Sequence, residues 1–203
     1  MRPQPAIRSS GFRSIRKHQQ HDCEETITMK HFLHATSVAS VRFLLAAWVG
    51  AAVLFVITSV AEQTSVKFDS VTRDQLATVR FPYYYHFGFA SLIAAFFASV
   101  VAIATATSDV RRKWFVVGGL VAVAGVLMIA DFQWIYRPLI DLITPAGQAR
   151  TPEFESLHTW SRYANQTHVG IIMFAGIVSC LTFQEKTARK PQSESDSITP
   201  SQP

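Results

Sequence analysis

Residues Phe81–Ser108 read FPYYYHFGFASLIAAFFASVVAIATATS, 28 positions without an Asp, Glu, Lys or Arg. A soluble helix shows a polar stripe at helical period, and this run is apolar all round. A helix needs roughly 17–25 apolar residues to cross the hydrocarbon core of a bilayer. Inside lipid the backbone must satisfy its own hydrogen bonds, so the segment reads as a membrane helix. Moving outward along the chain, the same feature recurs. Phe43–Ala61 is a charge-free run of 19 residues, Trp114–Ala130 of 17 and Tyr163–Gln184 of 22. The expected fold is therefore all-α: an integral membrane four-helix bundle. Its spans are placed at about 41–62, 82–107, 114–136 and 158–183 within a domain covering 41–184.

Composition agrees. The chain has 203 residues, of which 49% are hydrophobic and 16% charged. A soluble domain carries about 25% charged residues. Mean hydropathy is +0.18 although both ends are polar. These values exclude a disordered chain, a collagen-like chain and a disulfide-stapled mini-domain. A cleaved signal peptide is disfavoured for the first span, because its apolar run is longer than usual and no small-x-small site follows Ala61. Residues 1–40 read as a basic, disordered tail. An organelle-targeting segment, or a start at Met29, are the alternatives there. Residues 185–203, rich in Ser, Pro and charge, read as a second disordered tail. His18, His21 and Cys23 have loose metal-ligand character with nothing to complete a site. Cys23 and Cys180 are the only cysteines, and no disulfide is expected.

Lys and Arg set the threading. Seven lie in residues 1–42, three form the Arg111-Arg112-Lys113 loop, and three follow the fourth span at Lys186, Arg189 and Lys190. Only six of the 19 fall on the other side: Lys67, Arg73, Arg80, Arg137, Arg150 and Arg162. The positive-inside rule then puts both termini in the cytoplasm. The membrane is a bacterial cell membrane, or an endomembrane in a eukaryote. The net charge of +5 accordingly suggests anionic lipid as partner rather than nucleic acid.

Small residues recur every fourth position in the second span, as Ala90, Ala94, Ala98 and Ala102 beside Ser91, Ala95 and Ser99. Close packing at such rows drives helix association in lipid, which marks this span as the central packing element. Ala46 and Gly50, Gly118 and Ala122, and Gly176 and Cys180 are the corresponding pairs on the others.

Polar groups gather at one membrane face. Pro82 suits the start of the second span. His86 follows the tyrosine triplet, Asp131 closes the third span, and the fourth carries His158, Ser161, Asn165 and His168. At 100° per residue these last four share one face within about 80°. Polar groups at membrane depth mark sites or pathways, or else fix helix register through hydrogen bonds. His86, Asp131, His158, Ser161, Asn165 and His168 thus form the candidate pocket, with Tyr84 and Trp134 as interfacial anchors. Asp131 is expected to face Arg137 or a protonated histidine. Ser161 and His158 at i and i+3 could form a hydrolase dyad, but no nucleophile elbow accompanies them. No catalytic or metal residue is assigned.

Three stretches resemble the transmembrane protein 205-like family, over roughly Val41–Phe183. They are Ala47-Trp48-Val49-Gly50, Phe81-Pro82-Tyr83-Tyr84-Tyr85-His86, and Phe154-Glu155-Ser156-Leu157-His158-Thr159-Trp160-Ser161 followed by Asn165. The last is similar to the family's Phe-x-x-x-His-x-x-Ser-x-x-x-Asn pattern. Asp131, Trp134 and Pro138 resemble its signature at the end of span three. The resemblance implies a compact four-helix membrane domain and no established reaction.

The functional expectation is a non-enzymatic multi-pass membrane protein that binds or passes a small solute or assists a membrane partner, with no cofactor. One alternative is a redox protein holding haem or copper at His86, His158 and His168. The other is a structural or assembly role, with a homo-oligomer formed through the small-residue rows.

Overall fold

In a computed structural model the described residues are 10–181; the expected C-terminal tail lies outside them. Among the described residues there is no strand. The elements are α1 (Ser10–Thr64), α2 (Ser70–Thr105), α3 (Ser108–Asp131), a π-helical turn (Phe132–Tyr136), α4 (Arg137–Asp141) and α5 (Pro152–Cys180). The four long helices form an antiparallel ring in which each packs chiefly against its two neighbours. The all-α four-helix bundle expected from the sequence is the fold observed.

Each helix buries a narrow seam and exposes the rest. The seam runs through Val41, Leu45, Trp48 and Ala52 on α1, and through Trp114, Val117, Val121, Ala124 and Met128 on α3. The spacing of three or four residues is that of one helical face. Outside the seam the surface is apolar: Phe43, Leu54, Phe97, Phe115 and Val126 are all more than half exposed. Water would penalise such a belt, whereas lipid accepts it. Three helical stretches are long and apolar enough to cross a membrane: Thr28–Thr64, Ser70–Thr105 and Val110–Asp141. α5 is long enough, but Asn165, Gln166, Thr167 and His168 interrupt its apolar stretch and keep it out of that class.

Local chemistry fixes the ends. Asp69 caps α2, its carboxylate accepting the Thr72 N–H at 2.8 Å. Hydrogen bonds from Thr72 hold the Asp69 carboxyl below its ordinary range. Thr151 caps α5 through the Phe154 N–H, with Pro152 in the first turn and Glu153 and Glu155 at the positive end of the helix dipole. At the other end of α5, Arg42 donates to Ser179 O at 2.7 and 3.2 Å, and Lys113 donates to Leu181 O at 3.1 Å. Two cations from neighbouring helices thus meet the carbonyls that a helix C-terminus leaves unpaired.

Three expectations need correction. Helix α1 begins at Ser10, so residues 10–40 are helical rather than a disordered tail. The side chains of His18, His21 and Cys23 are outside those described. Pro82 lies inside α2, 12 residues past its start, instead of opening it. In α2 the buried row is Ser91, Ala95, Ser99 and Ala102, while Ala90 and Ala94 face outward. The same inversion holds for Ala46, Gly50 and Ala122, which are exposed; Gly118 alone of those four is buried. α2 sits in the ring between α1 and α3 rather than at the centre of the bundle.

The tightest helix approach is at Gly88. A Cβ there would lie 2.6 Å from Trp48 Cη2 and 2.2 Å from Met128 Cε. Glycine lets α2 close on α1 and α3 at one level.

Candidate functional site

The bundle is tight at its lower end and splayed at its upper end. Low down, α1 and α5 meet where the Trp48 and His168 rings stack at 5.9 Å, and again at Arg42 and Ser179. Above that level a cavity of about 520 Å³ opens between them. This volume falls in the range of small-molecule sites. Phe55, Val56 and Val60 of α1 and Ser161, Asn165 and Gln166 of α5 form its two sides. Phe81, Tyr84, Tyr85, Asp131 and Leu139 close the back.

The floor is a short polar network among aromatic rings. Tyr84 donates to Asn165 Oδ1 at 2.5 Å, tying α2 to α5. Tyr85 donates to Asp131 Oδ2 at 2.6 Å, tying α2 to α3. The other carboxylate oxygen of Asp131 is buried without a hydrogen-bond partner. The Tyr84 ring packs on Phe55 at 4.5 Å and on Trp48 at 4.9 Å; the Tyr85 ring packs on Tyr136 at 4.7 Å.

The π-helical turn shapes this wall. The Arg137 N–H reaches back five residues to Phe132 O. Pro138 has no N–H, and its ring would crowd the Trp134 carbonyl of a regular helix, so the ladder is interrupted there in any case. The wider turn separates Asp131 from Leu139, and both line the cavity.

A smaller cavity of about 110 Å³ adjoins the first, sharing Phe55, Ser59, Gln63, Phe81, Leu139 and His158. It leads to a charged rim. Arg80 pairs with Glu62 and donates to Thr58 Oγ1 at 2.7 Å. Buried Asp74 pairs with Arg150 and accepts the Gly147 N–H at 2.9 Å. Arg150 in turn sits 4.2 Å over the Phe154 ring, which stacks on His158 at 5.8 Å.

Four of the six proposed pocket residues, Asp131, His158, Ser161 and Asn165, do line this cavity. His168 is one level deeper, 1% exposed, with Nδ1 near Ala164 O and Nε2 without a partner. His86 is not part of the site: it is exposed on the outer surface of α2. Two residues along a helix is a rotation of 200°, so a helix that turns Tyr84 inward must turn His86 out. Tyr84 is 8% exposed and turned into the bundle rather than out to an interface, whereas Tyr83, at 74%, and Trp134 are exposed. The partner of Asp131 is Tyr85 and not Arg137, which instead donates to Gln133 Oε1 at 2.9 Å. No hydrogen bond joins Ser161 to His158. His86, His158 and His168 do not converge. Among the described residues no group of three or more His, Cys, Asp or Glu is placed to share a metal ion.

Sequence reading passed over Tyr85, Phe55 and the rim ion pairs. A signal for the tyrosines existed. Extending the buried row Ser91, Ala95, Ser99 backward by seven residues reaches Tyr84, and Tyr85 stands seven before buried Leu92. The rim pairs left none, because Asp74 and Arg150 are 76 residues apart.

No protein-family model matches this chain, and no curated protein and no solved structure is similar to it.

Proposed function

We propose that this chain is a non-enzymatic multi-pass membrane protein of the transmembrane protein 205-like type that binds a small solute in the pocket between α1 and α5. The observation that carries the reading is the 520 Å³ cavity itself, apolar at its sides and polar at only a few fixed points. Pockets that hold small molecules have this make-up. The pocket opens sideways between two helices whose neighbouring surfaces are apolar, which favours a solute that enters from the bilayer. α5 completes the fourth crossing, its polar first half turned toward the pocket and its apolar second half carrying exposed Met173, Phe174 and Ile177. Both termini face the cytoplasm, where the Arg111-Arg112-Lys113 start of α3 meets anionic lipid.

The test uses a variant that fills the mouth. Val60 is exposed and lines the cavity, so Val60→Trp obstructs it without touching the core. A panel of small lipophilic amines, alcohols and acids is screened for thermal stabilisation of the purified protein. The reading expects at least one compound to raise the melting temperature of the wild type and not of Val60→Trp. A panel that stabilises neither protein, or both equally, overturns it.

A second reading has one observation in its favour. Ala90 and Ala94 recur at helical spacing on the outer face of α2, where a second copy could approach closely. A cysteine at Ala94 should then cross-link between copies in membranes; a cysteine that stays monomeric under oxidation removes this homo-oligomer reading.

A further inference from the structure

We propose that the solute is a protonated amine on an apolar body, and that the Asp131 carboxylate is its counter-ion. This rests on the solute-binding reading above and adds the chemical class.

Asp131 is the last residue of α3, 3% exposed, and lines the inner end of the cavity. One of its oxygens accepts the Tyr85 hydroxyl; the other has no partner and is shut from solvent. The ion pairs among the described residues are Arg80–Glu62 and Arg150–Asp74, and Asp131 takes part in neither. A buried carboxylate with one oxygen unmet is costly, and a buried charge is normally paired. An ammonium N–H supplies both the missing hydrogen bond and the missing charge.

The walls suit the same group. Phe55, Phe81, Tyr84 and Tyr85 put four aromatic rings around the cavity, and ring faces attract cations. Their apolar area receives the body of the amine. A carboxylic acid would face Asp131 as a like charge. A neutral alcohol would meet the free oxygen but leave the charge. The remaining charged or titratable groups on the cavity are His158 and Arg162, both exposed on α5 at the mouth, and neither forms an ion pair with Asp131. The π-helical turn begins at the next residue, and such turns within helices gather at functional sites.

The experiment is calorimetric titration of the purified full chain in detergent with phenylbutylamine, phenylbutanol and phenylbutyrate. The amine should bind roughly tenfold or more tightly than the alcohol, the range of one charge-assisted hydrogen bond, and the acid weakest. Asp131→Asn keeps an acceptor for Tyr85 and should bring the amine down to the alcohol. Equal binding of amine and alcohol by the wild type overturns the inference while the pocket reading stands, and needs no variant that might misfold. An amine preference that survives in Asp131→Asn overturns the assignment to Asp131. No binding of any of the three overturns inference and reading together. The ammonium has two sources, a free amine or a phosphatidylethanolamine headgroup. Phosphatidylethanolamine retained by the protein in native mass spectrometry and expelled by phenylbutylamine identifies the headgroup. Amine binding undiminished by added phosphatidylethanolamine identifies a free solute.

Discussion

Single residues decide how closely the helices approach and which way the pocket faces. Gly88 is the sharpest case, since a methyl group there meets the stiff indole of Trp48 as well as the yielding end of Met128. Gly88→Ala should cost about 1–3 kcal/mol, the usual range for overpacking, read as a lower melting temperature in detergent. Gly119→Ala is the control: nothing lies within 4 Å of its added Cβ, and a helical glycine replaced by alanine should be neutral or slightly stabilising. The α2 rows make a parallel contrast. Ala95→Leu, at a position 0% exposed, should destabilise by roughly 1–3 kcal/mol, whereas Ala94→Leu should stay within about 0.5 kcal/mol because it adds surface on the outer face. Equal melting temperatures for the two leucine variants would reverse the assignment of the buried row. The sequence made the small-residue spacing legible but not its handedness, because two rows of small residues ran side by side. Each row runs back to a tyrosine, Ala90 to Tyr83 and Ser91 to Tyr84, so the aromatic triplet does not separate them; the structure buries the row that reaches Tyr84.

At the scale of elements, the upper rim is held by loops whose ties come from far along the chain. Asp74 on α2 accepts the Gly147 N–H and pairs with Arg150, so one carboxylate pins the connection between α4 and α5. Gly147 sits at φ +88, a conformation side chains disfavour, and a Cβ there would also lie 2.7 Å from Val71 Cγ2. Arg150 holds Phe154 and through it His158, so this tie also positions the mouth of the pocket. Asp74→Ala should therefore lower stability by roughly 1–3 kcal/mol and speed tryptic cleavage after Arg150. Cleavage at the wild-type rate would mean that the loop is held by packing alone. The long helices themselves were readable from charge-free runs, but their ends were not. Charge marks where a helix leaves lipid, and α1 and α2 continue as helix well past that point, through Lys30 and Arg42 at one end and Arg73 and Arg80 at the other. Pro82 misled for the same reason: it suits a first turn, yet it stands inside α2 where the chain crosses the rim.

Across the whole molecule, two asymmetries combine into a direction. The apolar belt sets the plane of the bilayer, and the pocket with its rim stands at one end of the bundle only. The other end carries Arg111, Arg112 and Lys113 in the first turns of α3, and Arg42 and Lys113 bound to the last carbonyls of α5. Short basic segments beside a span resist translocation, and Arg111-Arg112-Lys113 is such a segment. The pocket mouth should therefore face away from the cytoplasm. After replacement of Cys23 and Cys180, a cysteine at Ser65, in the exposed turn between α1 and α2, should react with an impermeant maleimide added to intact cells. One at Arg112, exposed at the start of α3, should react only once the membrane is permeabilised. Labelling of both from outside would break the four-span threading, since these positions lie at opposite ends of α2. Labelling of Arg112→Cys alone would keep the bundle and invert it, turning the Asp131 pocket toward the cytoplasmic leaflet and making the solute one that the cell itself supplies.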